Sequence, residues 1–339
     1  MLTFLPSASE PTRAAAEAFV DAWQAGQATV DQQTSGSTGT PKSIAIERTR
    51  MEASADATAQ ALGLQTGRQA LICLSADYIG GKMALVRGLR LGWDLYVAEP
   101  GAYALADWDL PHAPYHASLV PLQLEATLAE ADLRRRLQGM HSVLIGGAPL
   151  SPGLEAACRG MAGVALYHTF GMTETVSHVA LRRLNGPEAS DWFTLLPGHQ
   201  ARTDAEGCLA VCGPTTGGQW VQTKDQVGLE GDRFRWLGRA DFTINTGGVK
   251  LQPEGLEAEL APLLEAFGLP AAFYLIGRPD ERLGQAVTLV LEQPTPLPEA
   301  EAEYLLRYLA ERLPRFHAPR RVEAVAQLPR TPTGKIKRG

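Results

Sequence analysis

Cysteine is scarce in this chain, and the little there is forms no motif. The four residues Cys73, Cys158, Cys208 and Cys212 make no C-x-x-C pair and no cluster with histidine at zinc spacing. That argues against a structural zinc site and a disulfide framework, and favours reduced thiols in a cytoplasmic protein. His112 and His116 stand four apart, but Pro114 between them breaks the helix that would bring them together. Basic charge is not in excess: the net charge of −6 argues against a general nucleic-acid binder. No apolar run is long enough to insert in a membrane. The opening MLTFLPSASEPTR lacks the basic lead and long apolar segment of a secretory signal. Internal repeats and low-complexity segments are also missing. What remains is a 339-residue chain, 45% hydrophobic and 20% charged, suited to one large core and a second, smaller one.

Strand and helix patterns alternate through the first half. PTRAAAEAFVDAWQA (11–25) has the period of an amphipathic helix, SIAIE (43–47) alternates as a strand, and TRMEASADATAQALGL reads as a helix ending at Gly63. ALICLS, WDLYVAE and GVALYHTFG read as buried strands, with helices between them. ASLVPLQLEATLAEADLRRRL reads as a strand and one helix. This is an α/β layered domain with a largely parallel sheet. From about residue 192 to 244, short alternating strands and turns such as DAEG and LEGD mark a small, mostly antiparallel β region. A further mixed α/β unit of about a hundred residues follows GRAD (238–241), within the usual size of a domain. The expected organisation is a large domain over 1–238, with its β-rich part at 192–238, a hinge at 239–241 and a small domain over 242–339.

The stretch TSGSTGTPK (34–42) concentrates hydroxyls, glycines and a lysine. It is not a Walker loop: Lys42 is three residues past Gly39, Pro41 intervenes, and a strand rather than a helix follows. It is not G-x-G-x-x-G either. Two readings stay open: a loop whose backbone N–H groups, hydroxyls and Lys42 wrap a polyphosphate, or an ordinary polar turn.

Four stretches in order shift that balance: TSGSTGTPK, YHTFGMTET (167–175), GRADFTINTGGVKLQPEGLE (238–257) and PRTPTGKIKR (329–338). Together they resemble the acyl-adenylate-forming enzymes, which include acyl-CoA ligases, adenylation domains of peptide synthetases and luciferases. The resemblance implies a large N-terminal α/β domain, a small mobile α+β C-terminal domain and an active site between them. It implies ATP, Mg²⁺, a carboxylic acid and CoA as the small-molecule partners. Both reactants of adenylation are anions, so the site must supply positive charge and donors in the transition state. By this resemblance Thr34, Ser35, Gly36, Ser37, Thr38, Gly39 and Lys42 hold the leaving phosphates. Thr173 contacts the α-phosphate, and Glu174 helps hold Mg²⁺. Gly146, Gly147 and Ala148, with Tyr167, His168, Thr169, Phe170 and Gly171, form the adenine slot. Asp225 binds the ribose, although it follows QTK where a glycine is common, and Arg239 lies near the nucleotide. Lys335 is the catalytic lysine, reaching the reacting centre. Asp241 is the hinge about which the small domain swings between half-reactions, and Gly247 and Gly248 let the pantetheine arm of CoA pass. Taken singly, Glu174 would read as a solvated residue and Lys335 as part of a fraying tail.

About thirty residues precede the glycine-rich loop, where most members have well over a hundred. The expectation is a large domain shortened at its front, exposing apolar surface that a homodimer would cover. That shortness, with YIGGKMALVRGL (78–89) and GMTETVSHVALRRLN (171–185), resembles the short bacterial o-succinylbenzoate–CoA ligases of menaquinone biosynthesis. Their acid carries two carboxylates, and the one that does not react needs a cation or several donors. Lys82, Arg87, Ser177 and His178 are the candidates, against the reading of Lys82 and Arg87 as solvated helix residues. The competing functions are ligation of another aryl acid, loading of a carrier protein, and binding of a nucleotide or acyl-adenylate without turnover.

Overall fold

A computed structural model describes residues 1–33, 43–269, 272–330 and 336–338. The loop residues Thr34, Ser35, Gly36, Ser37, Thr38, Gly39 and Lys42, and the expected catalytic Lys335, lie outside the described residues. The chain divides into two compact units. One comprises Met1–Arg202, Ala210–Gln222 and Leu229–Arg235; the other comprises Thr203–Leu209, Thr223–Gly228 and Trp236–Gly339. The division therefore runs through the β-rich region rather than after it.

The first unit carries β1 (Leu2–Phe4), α1 (Glu10–Gln24), β2 (Thr29–Gln33), β3 (Ser43–Glu47), α2 (Arg48–Leu62), β4 (Gln69–Ile72), α3 (Ile79–Arg90) and β5 (Asp94–Val97). It continues with β6 (His116–Leu119), α4 (Pro121–Ala129), α5 (Ala131–Gln138), β7 (Ser142–Ile145), α6 (Pro152–Arg159), β8 (Ala165–Gly171), β9 (His178–Arg183) and β10 (Phe193–Leu195). The strands β11 (Gln200–Thr203), β12 (Cys208–Cys212), β13 (Val221–Glu230) and β14 (Arg233–Arg239) each have residues in both units.

The sheet of the first unit runs β1-β5-β4-β6-β7-β8-β9-β10. Its first six strands are parallel, and the direction reverses at β8/β9. Helices cover both faces, as a parallel sheet requires. The two-residue period of the strands sorts the layers. On β4, Leu71 joins Ala117, Leu119, Val143 and Ile145 beneath α4, α5 and α6, while Ala70 and Ile72 face α1, α2 and α3. Helix α1 buries Ala16, Phe19, Val20 and Trp23, the stripe expected of its sequence. Gly63 ends α2 with φ 60, the left-handed cap that glycine favours. The single helix expected after β6 is two helices, because Glu130 turns extended (φ −100, ψ 123) between α4 and α5. Strands β2 and β3 pair antiparallel with Gln33 opposite Ser43, so the glycine-rich stretch connects the two ends of one ladder.

The second unit holds β15 (Ile244–Thr246), β16 (Val249–Leu251), α7 (Pro253–Ala266), β17 (Phe273–Asp280), β18 (Gly284–Glu292), α8 (Glu299–Ala310) and β19 (Arg321–Val325). Its sheet runs β16-β15-β18-β17, with β19 parallel to β18. Leu256, Leu260 and Leu264 of α7 and Leu305 and Leu309 of α8 bury against one face. Tyr274, Val290 and Leu328 occupy the other. No helix among the described residues is long and apolar enough to cross a membrane.

Helix α3 leans on the backbone that precedes it. A Cβ at Gly81 would sit 2.1 Å from the Ser75 carbonyl oxygen and 2.4 Å from its carbon, and neither can yield. Gly81→Ala should therefore destabilise by roughly 1–3 kcal/mol. Gly153→Ala, where a Cβ meets nothing within 4 Å, should hold or raise stability. Urea denaturation of the two variants checks both signs.

Candidate active site

The carboxyl ends of β7 and β8 form the first part of the site, the position where ligands bind in open α/β sheets. The turn after β7 packs closely on β8: a Cβ at Gly146 would lie 2.3 Å from Thr169 Oγ1, and Gly147 takes φ 85. His168 lies opposite Arg182 across the β8/β9 ladder. Phe170 packs edge-on against Phe193 and Phe234 at ring-centroid distances of 5.8 and 5.0 Å. Tyr167 on the other face accepts from Arg183 Nη1 at 2.9 Å.

The reversal between β8 and β9 is sharply made. Gly171 sits at a bulge, where a Cβ would meet the Ser177 carbonyl oxygen at 2.1 Å. Thr175 Oγ1 donates to Ser177 O at 2.7 Å and accepts from Met172 N at 3.1 Å. Val176 has φ 69 and ψ −59, and Ser177 N donates to Thr175 O at 2.8 Å. This is a γ-turn of the rare, strained hand, on a fully buried β-branched residue. Arg50 straps the turn from outside, donating to Glu174 O at 2.8 Å and Thr215 O at 2.7 Å. Thr173 is left half-buried and Glu174 exposed. Among the described residues no three acidic, histidine or cysteine side chains gather as a metal cage. A lone exposed carboxylate suits a Mg²⁺ that arrives with phosphate oxygens as its other ligands.

Behind this turn lies a buried polar layer. Ser177 shares a 2.8 Å hydrogen bond with Ser54. Thr58 Oγ1 gives its proton to Ser54 O, so it accepts from His178 Nε2 at 2.9 Å, and His178 carries its proton on Nε2. Arg87 is 2% exposed, far from the solvated state that its helix position would allow. Its Nη1 reaches only Ser118 Oγ, at 3.4 Å, its Nε has no partner, and no carboxylate among the described residues pairs with it. Burial pushes its pKa down to about 10. His116, also buried, bonds Ser142 through Nδ1 at 2.9 Å and leaves Nε2 without a partner. Lys82 is elsewhere: it donates to Gln32 Oε1 at 2.7 Å, because five residues along a helix place it about 140° round from Arg87. The structure thus joins Arg87, Ser177 and His178 and leaves Lys82 out. His116, Ser118, Ser54 and Thr58 carry no motif and were not singled out by the sequence.

In the second unit, buried Asp225 accepts from Trp236 Nε1 at 2.9 Å and lies 3.7 Å from Arg239. Arg239 also holds Asp241 with two 3.0 Å bonds, and Lys224 stands 3.7 Å from the same carboxylate. Burial would raise the pKa of Asp241, but the Arg239 hydrogen bond and the two cations outweigh it and hold it low. Gly247 and Gly248, with φ 58 and 83, make the two-residue turn of the β15/β16 hairpin. Arg338, just past the undescribed 331–335, clamps Glu257 at 2.5 and 2.7 Å.

Residues 7–205 match the family described as AMP-binding enzyme, and residues 271–335 match the AMP-binding enzyme C-terminal domain. A probable 2-succinylbenzoate–CoA ligase of Mycobacterium tuberculosis is 31% identical, over 90% of this chain and 81% of its own length. A 2-succinylbenzoate–CoA ligase of Bacillus cereus is 25% identical, over 90% of this chain and 67% of its own. The crystal structure of an acyl-CoA synthetase (AMP-forming)/AMP-acid ligase II-like protein from Dyadobacter fermentans is 39% identical. It superposes with a TM-score of 0.66 over 98% of this chain and 94% of its own. The o-succinylbenzoate CoA synthetase of Bacillus subtilis, solved with its acyl-adenylate intermediate, shares the fold. Its TM-score is 0.76 at 23% identity, over 91% of this chain and 67% of its own.

Three histidines, two of them buried and His168 half-buried, tie stability to pH. His168 and His178 are pushed down to about 3, first by burial and then by Arg182 and Arg87 respectively. His116 is pushed well below its usual value by burial and by Arg87. Below about pH 6.5 the unfolded chain takes up protons that the folded one refuses. Their contribution is complete above that pH and is lost as pH falls toward 3, with a slope approaching about 4 kcal/mol per pH unit for three protons. Denaturation at pH 7, 6 and 5 should show this slope, and His178→Gln should lower it by about a third.

Proposed function

Because the chain belongs to the family of AMP-binding enzymes, we propose that it is an ATP-dependent acid–CoA ligase whose acid is 2-succinylbenzoate. The observation that carries the acid is Arg87, a buried guanidinium with an unpartnered Nε and no carboxylate beside it. A buried cation of this kind is costly until a counter-charge arrives. The ring carboxylate of 2-succinylbenzoate is such a charge, while Ser177 and the neutral His178 belong to the same buried polar layer. A fatty acid, with one carboxylate, would leave Arg87 unpaired. The curated relatives from Mycobacterium tuberculosis and Bacillus cereus, which carry this activity in their names, support the same acid.

The succinyl carboxylate attacks the α-phosphate of ATP, a new P–O bond forms, and pyrophosphate leaves. Thr173 contacts the α-phosphate, and Glu174 would help hold a Mg²⁺, which would supply positive charge against the phosphates when bound. The 146–148 turn, with His168, Thr169, Phe170 and Gly171, receives the adenine. Asp225 and Arg239 take the ribose, Thr34 to Gly39 and Lys42 the leaving phosphates, and Lys335 the charge that develops in the transition state. The thiol of CoA then attacks the acyl carbonyl and AMP leaves, with Gly247 and Gly248 beside the pantetheine arm and Asp241 as the hinge between the steps.

Purified protein given ATP, Mg²⁺, CoA and 2-succinylbenzoate should form the CoA thioester and AMP faster than with benzoate, cinnamate or octanoate. AMP and pyrophosphate without thioester would replace CoA by another acceptor, and no AMP with any acid would overturn the proposal. Lys335→Ala should slow adenylation by about 10²–10³-fold, the scale for one preorganised electrostatic group. It should spare thioester formation from a supplied acyl-adenylate. Equal loss in both halves would contradict the swing of the small domain between the two steps.

A further inference from the structure

Trp236 lies outside the four stretches that carry the family resemblance, yet it holds Asp225. Its indole N–H, on β14, donates to Asp225 Oδ1, on the neighbouring β13, at 2.9 Å. Both residues belong to the second unit. Asp225 is 7% exposed and Trp236 is half-buried, so water competes little for this bond. The other carboxylate oxygen, Oδ2, lies 3.7 Å from Arg239 Nη1, beyond hydrogen-bond distance. Arg239 directs its Nε and Nη2 to Asp241 instead, at 3.0 Å each. The guanidinium therefore gives Asp225 a nearby charge, while the indole gives it a direction.

Direction matters for this group. The outer torsion of an aspartate is broad, so backbone geometry alone does not set the plane of its carboxylate. The main chain below is pinned, with Asp225 N donating to Thr223 Oγ1 at 3.0 Å, but that bond leaves the carboxylate free to turn. An indole offers one N–H in the plane of a rigid ring and cannot accept. By taking Oδ1 it fixes the plane, and Oδ2 keeps its place beside Arg239 with lone pairs still able to accept. The hydroxyls of a ribose are donors that need an acceptor at a defined position. Phenylalanine at 236 would fill part of the same space and supply no donor, so the N–H rather than the ring is the feature that orients Asp225.

We propose that Trp236 is a positioning residue for the nucleotide: its indole N–H holds Asp225 by Oδ1 and so presents Oδ2 to the ribose hydroxyls. This rests on the reading of Asp225 as the ribose ligand. It does not depend on which acid is activated.

The test uses the full chain and compares ATP, 2′-deoxy-ATP and 3′-deoxy-ATP by calorimetry. The wild type should prefer ATP over at least one deoxynucleotide by about tenfold or more, the scale for a hydrogen bond to a charged group. Trp236→Phe should reduce that preference to about threefold or less, with little change in affinity for the deoxynucleotide itself. A second variant replaces Trp236 by β-(3-benzothienyl)alanine, in which sulfur stands where the N–H was. It keeps the shape of the ring and should lose the preference equally. A preference that survives in the benzothienyl variant overturns the proposal. So does equal weakening of all three nucleotides, which would mark Trp236 as a packing residue only. Asp225→Ala then separates the causes. If it abolishes the preference, the ribose reading stands and only the role of Trp236 fails. If it does not, or if the wild type has no preference, the ribose reading fails and the proposal with it.

Discussion

A guanidinium buried without a counter-charge organises the interior of the first unit. Arg87 projects from α3, and what meets it is neutral: the Ser118 hydroxyl and, nearby, two histidines. The charge of Arg87 helps keep those rings neutral, so this buried layer has donors and acceptors but no anion of its own. Such an arrangement forgoes stability, because a well-packed apolar residue at this position would cost less. On the proposed reading the missing anion is the second carboxylate of the acid, and the interaction is completed only when substrate binds. That makes Arg87 a determinant of which acid is held rather than of the chemistry at phosphorus.

The backbone performs the rest of the positioning. Gly171 allows β8 to approach Ser177 and His178 at a distance no side chain would permit. The γ-turn at Val176 then separates two proposed roles within six residues, Thr173 and Glu174 toward solvent and Ser177 and His178 toward the buried layer. Positive φ on a buried valine costs on the order of 1–3 kcal/mol and persists only where its surroundings over-determine it. Here they are the Thr175 hydroxyl bonds, the Arg50 strap and the apolar cluster around Val176. Strain therefore sits between the proposed phosphate and acid contacts, where a small relaxation would disturb both.

The layered α/β fold was legible because buried parallel strands and amphipathic helices leave strong, separate periods, as in SVLI of β7 and the Ala16–Phe19–Val20–Trp23 stripe of α1. The break at Glu130 was not, since that residue is compatible with helix and its extended backbone is set by packing of α4 and α5 on the sheet. Short motifs located the 167–178 segment, because contiguous residues travel together. Lys82 and Arg87 could not be told apart by residue type; helix geometry separates them. His116, Thr58 and Glu155 left no signal, since each acts through a partner at least 26 residues away in the chain. The ion pairs that tie Asp225, Arg239 and Asp241 together were hidden for a different reason. The three were assigned separate roles, Asp225 from one stretch and Arg239 and Asp241 from another, and only the fold of the second unit shows that they share charges.

The central claim is that Arg87 waits for a carboxylate. It is tested most directly by calorimetric comparison of 2-succinylbenzoate with 4-oxo-4-phenylbutanoate, which is the same acid without the ring carboxylate, in the wild type and in Arg87→Met. The account predicts that the wild type prefers the dicarboxylate by at least about 100-fold, the scale for a site built around a polar group that the analogue lacks, and that the preference disappears in the variant. An equal preference in both proteins would contradict it, and the second carboxylate would then have to be held elsewhere.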